Sequence, residues 1–150
     1  MIIQSVILKD MPIPPSANAL WTPIKKGKMV RSAQYNVYER MVIHWANFNQ
    51  TSLNMARILT TKLQPGQAIH IERTYYFPRE QVLTKETKKT KSRPKRNDTS
   101  NRIKAADDAI SALIGIDDCY FWDGTHKKVA IDSEIGFMDV TLTIIDIAGF

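Results

Sequence analysis

The sequence predicts an α+β fold: a small mixed β-sheet with a long helix in the N-terminal half and a second, site-bearing helix packed against it. Three observations lead there. Runs rich in β-branched or alternating apolar residues occur near the start, middle and end of the chain, Gln34 to Lys62 contains neither Pro nor Gly, and a second amphipathic stretch follows Asn101. The order strand, long helix, strand, loop, helix, strands sets helices against a sheet instead of alternating them regularly with strands. At 150 residues the chain fits one domain spanning 1–150, and roughly two-thirds of the unfolded surface can be buried at that size.

Ile2 to Leu8 reads as the first strand, ended by Pro12, Pro14 and Pro15. A loop follows, with Lys25-Lys26-Gly27-Lys28 as an exposed charged turn, and Ser32 is placed to cap a helix. Tyr35, Tyr38, Met41, Val42, Trp45, Phe48 and Asn49 recur mostly at spacings of three and four, which gives that helix one apolar face. Poor helix formers near Gln50-Thr51-Ser52 predict a break into two helices. After the Pro65-Gly66 turn, Ala68 to Phe77 alternates as a strand, with Ile69, Ile71, Arg73 and Tyr75 on one face and His70 exposed on the other. Leu83 to Arg96 is a basic stretch nearly without apolar residues, expected to form a mobile loop at about 84–97. Asn101 to Leu113 reads as a helix, and Lys128 to Asp132 and Val140 to Ile145 as strands.

Hydrophobic residues at 43% and charged residues at 24% are ordinary for a folded domain and exclude a disordered chain. The net charge of +6 attracts polyanions. No apolar run approaches the roughly 20 residues of a membrane span, and the amino terminus lacks the order of a signal peptide. The expectation is a cytoplasmic protein without membrane contact. Cys119 is the only cysteine, which excludes an intrachain disulfide.

Chemistry concentrates between Asp98 and Asp118, where five carboxylates fall within twenty-one residues. At about 100° per residue, Asn101, Lys104 and Asp108 share a polar helical face, opposite Ile103, Ala106, Ile110 and Leu113. Asp98 stands at the helix start, where free backbone N–H groups favour a carboxylate, although Thr99 and Ser100 can cap equally well. Phosphodiester hydrolysis needs a cation to offset transition-state charge and to activate water, and Mg²⁺ is held by one or two carboxylates plus waters and phosphate. Asp98 and Asp118 can supply those carboxylates, with Asp108 or Asp117 as a third. Lys104 can stabilise charge developing on phosphate or leaving oxygen. The polar loop just before this segment, with Lys85, Lys88, Lys89, Lys91, Arg93, Lys95 and Arg96, together with Arg102, is the expected DNA-binding surface. Trp21, Phe121 and Trp122 are either packing residues or stacking wedges, and His126 is either a surface residue or an aid to proton transfer near Asp118.

The stretch Asp98-Thr99-Ser100-Asn101-Arg102-Ile103-Lys104, then Asp108-Ala109-Ile110, then Gly115-Ile116-Asp117-Asp118, resembles the signature of the RusA-type Holliday-junction resolvases. Ile13-Pro14-Pro15-Ser16-Ala17-Asn18 is similar to that family's Pro-Pro-Ser-x-Asn opening segment, and Ser32 to Tyr38 to its helix start. The resemblance implies a homodimer acting at the nucleoid, in which each subunit brings a Mg²⁺ site to a four-way DNA junction and nicks strands in pairs. By position it carries catalytic and metal roles to Asp98, Lys104 and Asp118, with Asn101 in support. Ser100 stands where the family motif has a second Asp, removing one unit of attraction for the metal. Asp108, about one turn past Lys104, can compensate; otherwise cleavage is weak or needs Mn²⁺. Two other readings compete: a catalytically weak or inactive binder of branched DNA, which Ser100 motivates, and an RNA-binding module, which leaves Asp98, Asp108 and Asp118 without a role.

Overall fold

The computed structural model describes residues 4–16, 21–25, 28–95, 97 and 99–148, with backbone alone at 21–25, 28–31, 100 and 101. Strand β1 (Ser5–Met11) turns Val6, Leu8 and Met11 inward and stops before Pro12, which cannot donate to a ladder. Its pairing slips between Leu8 and Met11, where Asp10 takes φ 59° and its N–H donates to Asp139 Oδ1 at 3.0 Å. The stretch expected to be a loop instead holds a separate two-stranded antiparallel sheet, β2 (Trp21–Lys25) and β3 (Lys28–Arg31); Lys26 and Gly27 of the expected charged turn lie outside the described residues.

Helix α1 (Ala33–Phe48) starts as expected, with Ser32 Oγ accepting from the Tyr35 N–H at 3.1 Å. It ends at Asn49, whose side chain donates to Trp45 O at 2.7 Å, and α2 (Gln50–Thr61) follows at once. The expected break therefore falls one residue early, at an Asn that satisfies the carbonyls of the last turn with its own amide. Trp45 Nε1 donates to Lys9 O at 2.8 Å, tying α1 to β1.

Strand β4 (Gln67–Pro78) runs through the centre of a four-stranded mixed sheet of order β1-β6-β4-β5, where β5 is Phe121–Ile131 and β6 is Phe137–Asp146. β4 pairs antiparallel with β6 and parallel with β5. A parallel neighbour requires a crossover, here α3 (Arg79–Val82), the basic segment and α4 (Ser100–Ile114). Helices cover one sheet face: Ile69, Ile71, Tyr75, Val140 and Leu142 meet Trp45, Leu53, Leu59, Ala106 and Ile110 in one core. The α+β expectation holds. β5 begins seven residues before the predicted strand, because it is an edge strand whose mostly exposed side chains leave no apolar alternation.

Arg73 also faces this core and is 4% exposed. Its guanidinium grips Asp107 of α4 through Nε at 2.9 Å and through Nη2 at 2.7 Å to each oxygen, and Nη1 reaches Thr125 O at 3.4 Å. Gly124 makes room for it: a Cβ there would sit 2.5 Å from Ile71 O and 3.0 Å from Arg73 Nη1. Burial pushes the Asp107 carboxyl above its ordinary range, opposed by the charge of Arg73. Nearby Tyr75, fully buried, is driven up to about 12 by the same loss of water. Among the described residues no helix is long and apolar enough to cross a membrane.

Candidate active site

Helix α4 buries Ala105, Ala106 and Ile110 and leaves Lys104 exposed beside half-buried Asp108, the two faces expected from its spacing. It stops at Gly115, whose φ of 72° suits a residue without Cβ, and the N–H groups of Gly115 and Ile116 both close on Ser111 O. Arg57 of α2 donates twice to Leu113 O, at 3.2 and 2.9 Å, so a cation sits at the negative end of the helix. The left-handed turn sends the chain back to Asp117 and to a 3₁₀ turn at Asp118–Tyr120 that packs on α4.

This return brings Asp118 beside α4. Lys104 Nζ donates to Asp108 Oδ1 at 2.9 Å and to Asp118 Oδ2 at 3.0 Å, joining carboxylates from two separate elements through one cation. These hydrogen bonds, to Asp108 first and Asp118 second, hold the lysine above its usual range. Exposed ion pairs stabilise little, so the arrangement does not account for itself as a fold device. Its consequence is that two carboxylate oxygens converge on a single positive centre at the surface.

Asp117, also expected from sequence as a candidate carboxylate for the metal, is engaged through one of its oxygens. Its Oδ1 accepts from the Cys119 N–H at 2.9 Å and caps the 3₁₀ turn, and that backbone bond draws its acid below the usual carboxylate range. The donors on this surface are hard oxygens, the ligand type that Mg²⁺ takes, and Asp108 and Asp118 already share a cation. They fit such an ion by chemistry and by convergence. Among the described residues no three His, Cys, Asp or Glu side chains group to hold a metal, and Asp98, the further carboxylate expected from sequence, lies outside the described residues. Arg96 lies outside them too, as do the side chains of Trp21, Ser100 and Asn101.

The residues either side of position 98 are held firmly. Asn97 O accepts from Lys128 Nζ at 2.7 Å, its Nδ2 donates to Gln81 O at 3.3 Å, and its Oδ1 accepts from Arg102 Nη2 at 3.3 Å. Thr99 stands at the N-cap position of α4 but makes no side-chain cap bond. Its hydroxyl, buried to 6% exposure, shares a hydrogen bond with His126 Nδ1 instead. His126 is thus engaged at the entrance to α4, with no hydrogen bond to Asp118 among its described contacts.

Arg102, expected among the DNA-binding residues, faces inward. Its Nη1 donates to Pro14 O and its guanidinium lies 5.4 Å from the centre of the Phe77 ring. Burial lowers its affinity for a proton. A guanidinium committed to the Pro14–Pro15 segment is not presented to a phosphate, so Arg102 is left out of the surface proposed below. The basic segment, by contrast, projects as a finger. Leu83 bridges Pro94, Thr84 N donates to Arg93 O at 2.8 Å, and Thr87 N to Thr90 O at 2.9 Å, with Lys88 and Lys89 near the tip. Lys85, Lys88, Lys89, Lys91, Arg93 and Lys95 are all exposed, although Lys95 Nζ also donates to Glu80 O at 3.1 Å.

Two contacts were hidden from sequence spacing. His70, half-buried, meets Asp123 across the β4–β5 pair at 2.7 Å, and the Arg73–Asp107 pair spans thirty-four positions. Only the parallel register of β4 and β5 brings the first together. Of the aromatic candidates, Phe121 packs against the core while Trp122 is 62% exposed.

No curated protein matches the chain. A family model described as Endodeoxyribonuclease RusA matches residues 11–136, from the end of β1 to the start of β6, and so takes in the Pro14–Pro15 segment, the finger, α4 and the returning Asp117-Asp118. By that match over most of its length, the chain belongs to the RusA endodeoxyribonuclease family.

Proposed function

We propose that this chain is a Mg²⁺-dependent endodeoxyribonuclease that nicks branched DNA in pairs, four-way junctions above all, as a homodimer. One observation carries the reading: in a member of this family, Lys104 joins Asp108 and Asp118 at an exposed surface of the helix that follows the basic finger in the chain. Asp98, Asp108 and Asp118 would hold the ion, with Asn101 in support. When bound, it offsets charge on the phosphorane-like transition state and makes a water nucleophilic near neutral pH. Lys104, which sits on the surface with its charge secured by two acids, is placed to meet phosphate oxygen as negative charge builds. Asp108 takes over the charge that Ser100 does not bring.

The experiment is a titration of Mg²⁺ and Mn²⁺ into four-way junction and linear duplex of matched sequence. Metal-dependent, symmetric nicks in the junction alone are expected. Ser100 favours one other reading, a binder of branched DNA without useful activity, and tight binding with no nick at any metal concentration would establish that instead.

The finger would hold phosphates. Each neutralised phosphate contributes roughly 0.9 to the slope of log affinity against log salt. Replacing Lys88, Lys89 and Lys91 with Gln is therefore expected to lower the magnitude of that slope by about 2 to 3, measured by gel shift across a salt series. Single-turnover nicking at saturating protein should hardly change. An unaltered slope would remove the finger from the DNA surface.

A further inference from the structure

Strand β5 carries two polar side chains, His126 and Lys128, on the face that the register shares with buried Arg73 and Tyr75. That face looks toward α4, and although both residues remain exposed, both side chains reach the entrance of α4. Lys128 Nζ holds Asn97 O at 2.7 Å, and His126 Nδ1 holds the Thr99 hydroxyl. Residues 97 and 99 flank Asp98 in the chain.

We propose that Lys128 and His126 are positioning residues that set the place of the Asp98 carboxylate by gripping the chain on both sides of it. The inference rests on the reading of Asp98 as a metal-binding residue. Its physical basis is what helix entrances ordinarily do. An N-cap Thr normally turns its hydroxyl to the helix N–H groups, and Thr99 gives that bond up for His126. An isolated lysine normally extends into water, whereas Lys128 donates to a backbone carbonyl. Gln81 and Arg102 fasten the Asn97 side chain as well, so rotation of the 97–99 backbone would break several hydrogen bonds together. Groups of this kind around a metal site commonly change its affinity by about tenfold to a hundredfold when removed.

The test uses the full-length protein in four forms: unchanged, Lys128→Met, Lys128→Arg and His126→Leu, with Asp98→Asn as the reference for the site. Three quantities are read: amide hydrogen exchange of peptides covering residues 97–101 without metal, Mn²⁺ affinity by electron paramagnetic resonance, and the thermal midpoint. Lys128→Met and His126→Leu are expected to speed exchange in that segment and weaken Mn²⁺ binding by about tenfold or more, with the midpoint nearly unchanged. Lys128→Arg is expected to restore much of both. If Asp98→Asn weakens Mn²⁺ binding but the β5 variants leave exchange or affinity as they were, the grip does not position the carboxylate and this inference fails alone. If Asp98→Asn leaves Mn²⁺ binding intact, the site reading fails and the inference falls with it.

Discussion

Asp118→Asn is expected to abolish nicking of a four-way junction while leaving junction binding at least as tight as in the unchanged protein. The substitution keeps shape and removes one negative charge from the surface where Lys104 Nζ lies 3.0 Å from Oδ2. If that carboxylate helps to hold the ion, its loss takes away several kcal/mol of transition-state stabilisation, and about 4 kcal/mol corresponds to roughly a thousandfold in rate. Binding responds in the opposite sense, because a protein of net charge +6 becomes more positive beside a polyanion. Single-turnover nicking in Mg²⁺ and gel shift without metal read the two separately. Residual nicking within about tenfold of the unchanged protein would exclude Asp118 as a ligand. Asp117→Asn is the internal control: its oxygen caps the Cys119 N–H at 2.9 Å, and a side-chain amide oxygen can still accept that bond.

The contrast between Asp117 and Asp118 shows what could be read before the fold was known. Helix α4 was legible because its apolar and polar faces repeat at the helical period, and the positions of Lys104 and Asp108 follow from that period alone. Gly115, in the left-handed conformation, turns the chain back to the Asp-Asp pair. Which of the two acids faces Lys104 did not follow, since it depends on the 3₁₀ turn that Asp117 caps. Arg102 shows a related limit: the guanidinium of this α4 residue points inward to Pro14 O and Phe77, and charge composition carries no direction. β2, β3 and most of β5 escaped because hairpin and edge strands have little apolar alternation to display. The contacts of Lys128 and His126 depend on parallel register across more than two dozen intervening residues. Local pattern has no access to such pairings; only the assembled sheet does.

The ion pair hidden from spacing also sets the largest expected effect on stability. Asp107→Leu is expected to cost about 3–5 kcal/mol, because it leaves the Arg73 guanidinium charged, 4% exposed and without its carboxylate. For a chain of this size that lowers the thermal midpoint on the order of 10 °C. Arg73→Met should cost less, for a chemical reason: an abandoned carboxyl can take up a proton, while a guanidinium cannot usefully release one. Burial already raises the Asp107 acid above its ordinary range, and removing Arg73 takes away the charge that opposed this. A carboxyl whose folded value lies above its unfolded value binds more protons when folded, so stability falls as pH rises between the two. The Arg73→Met penalty should accordingly be greatest near neutral pH and shrink as pH drops toward the unfolded carboxyl value. Joining the changes as Arg73→Met with Asp107→Leu removes both charges and should recover most of the loss, since a buried pair recovers little beyond its own desolvation. Urea unfolding of the two single variants and the double variant across pH checks all three statements. A double variant as unstable as Asp107→Leu would mean that the pair holds α4 against β4 by directed hydrogen bonds that apolar packing cannot replace, and nicking would then fall with it, because Asp107 is next in the chain to Asp108.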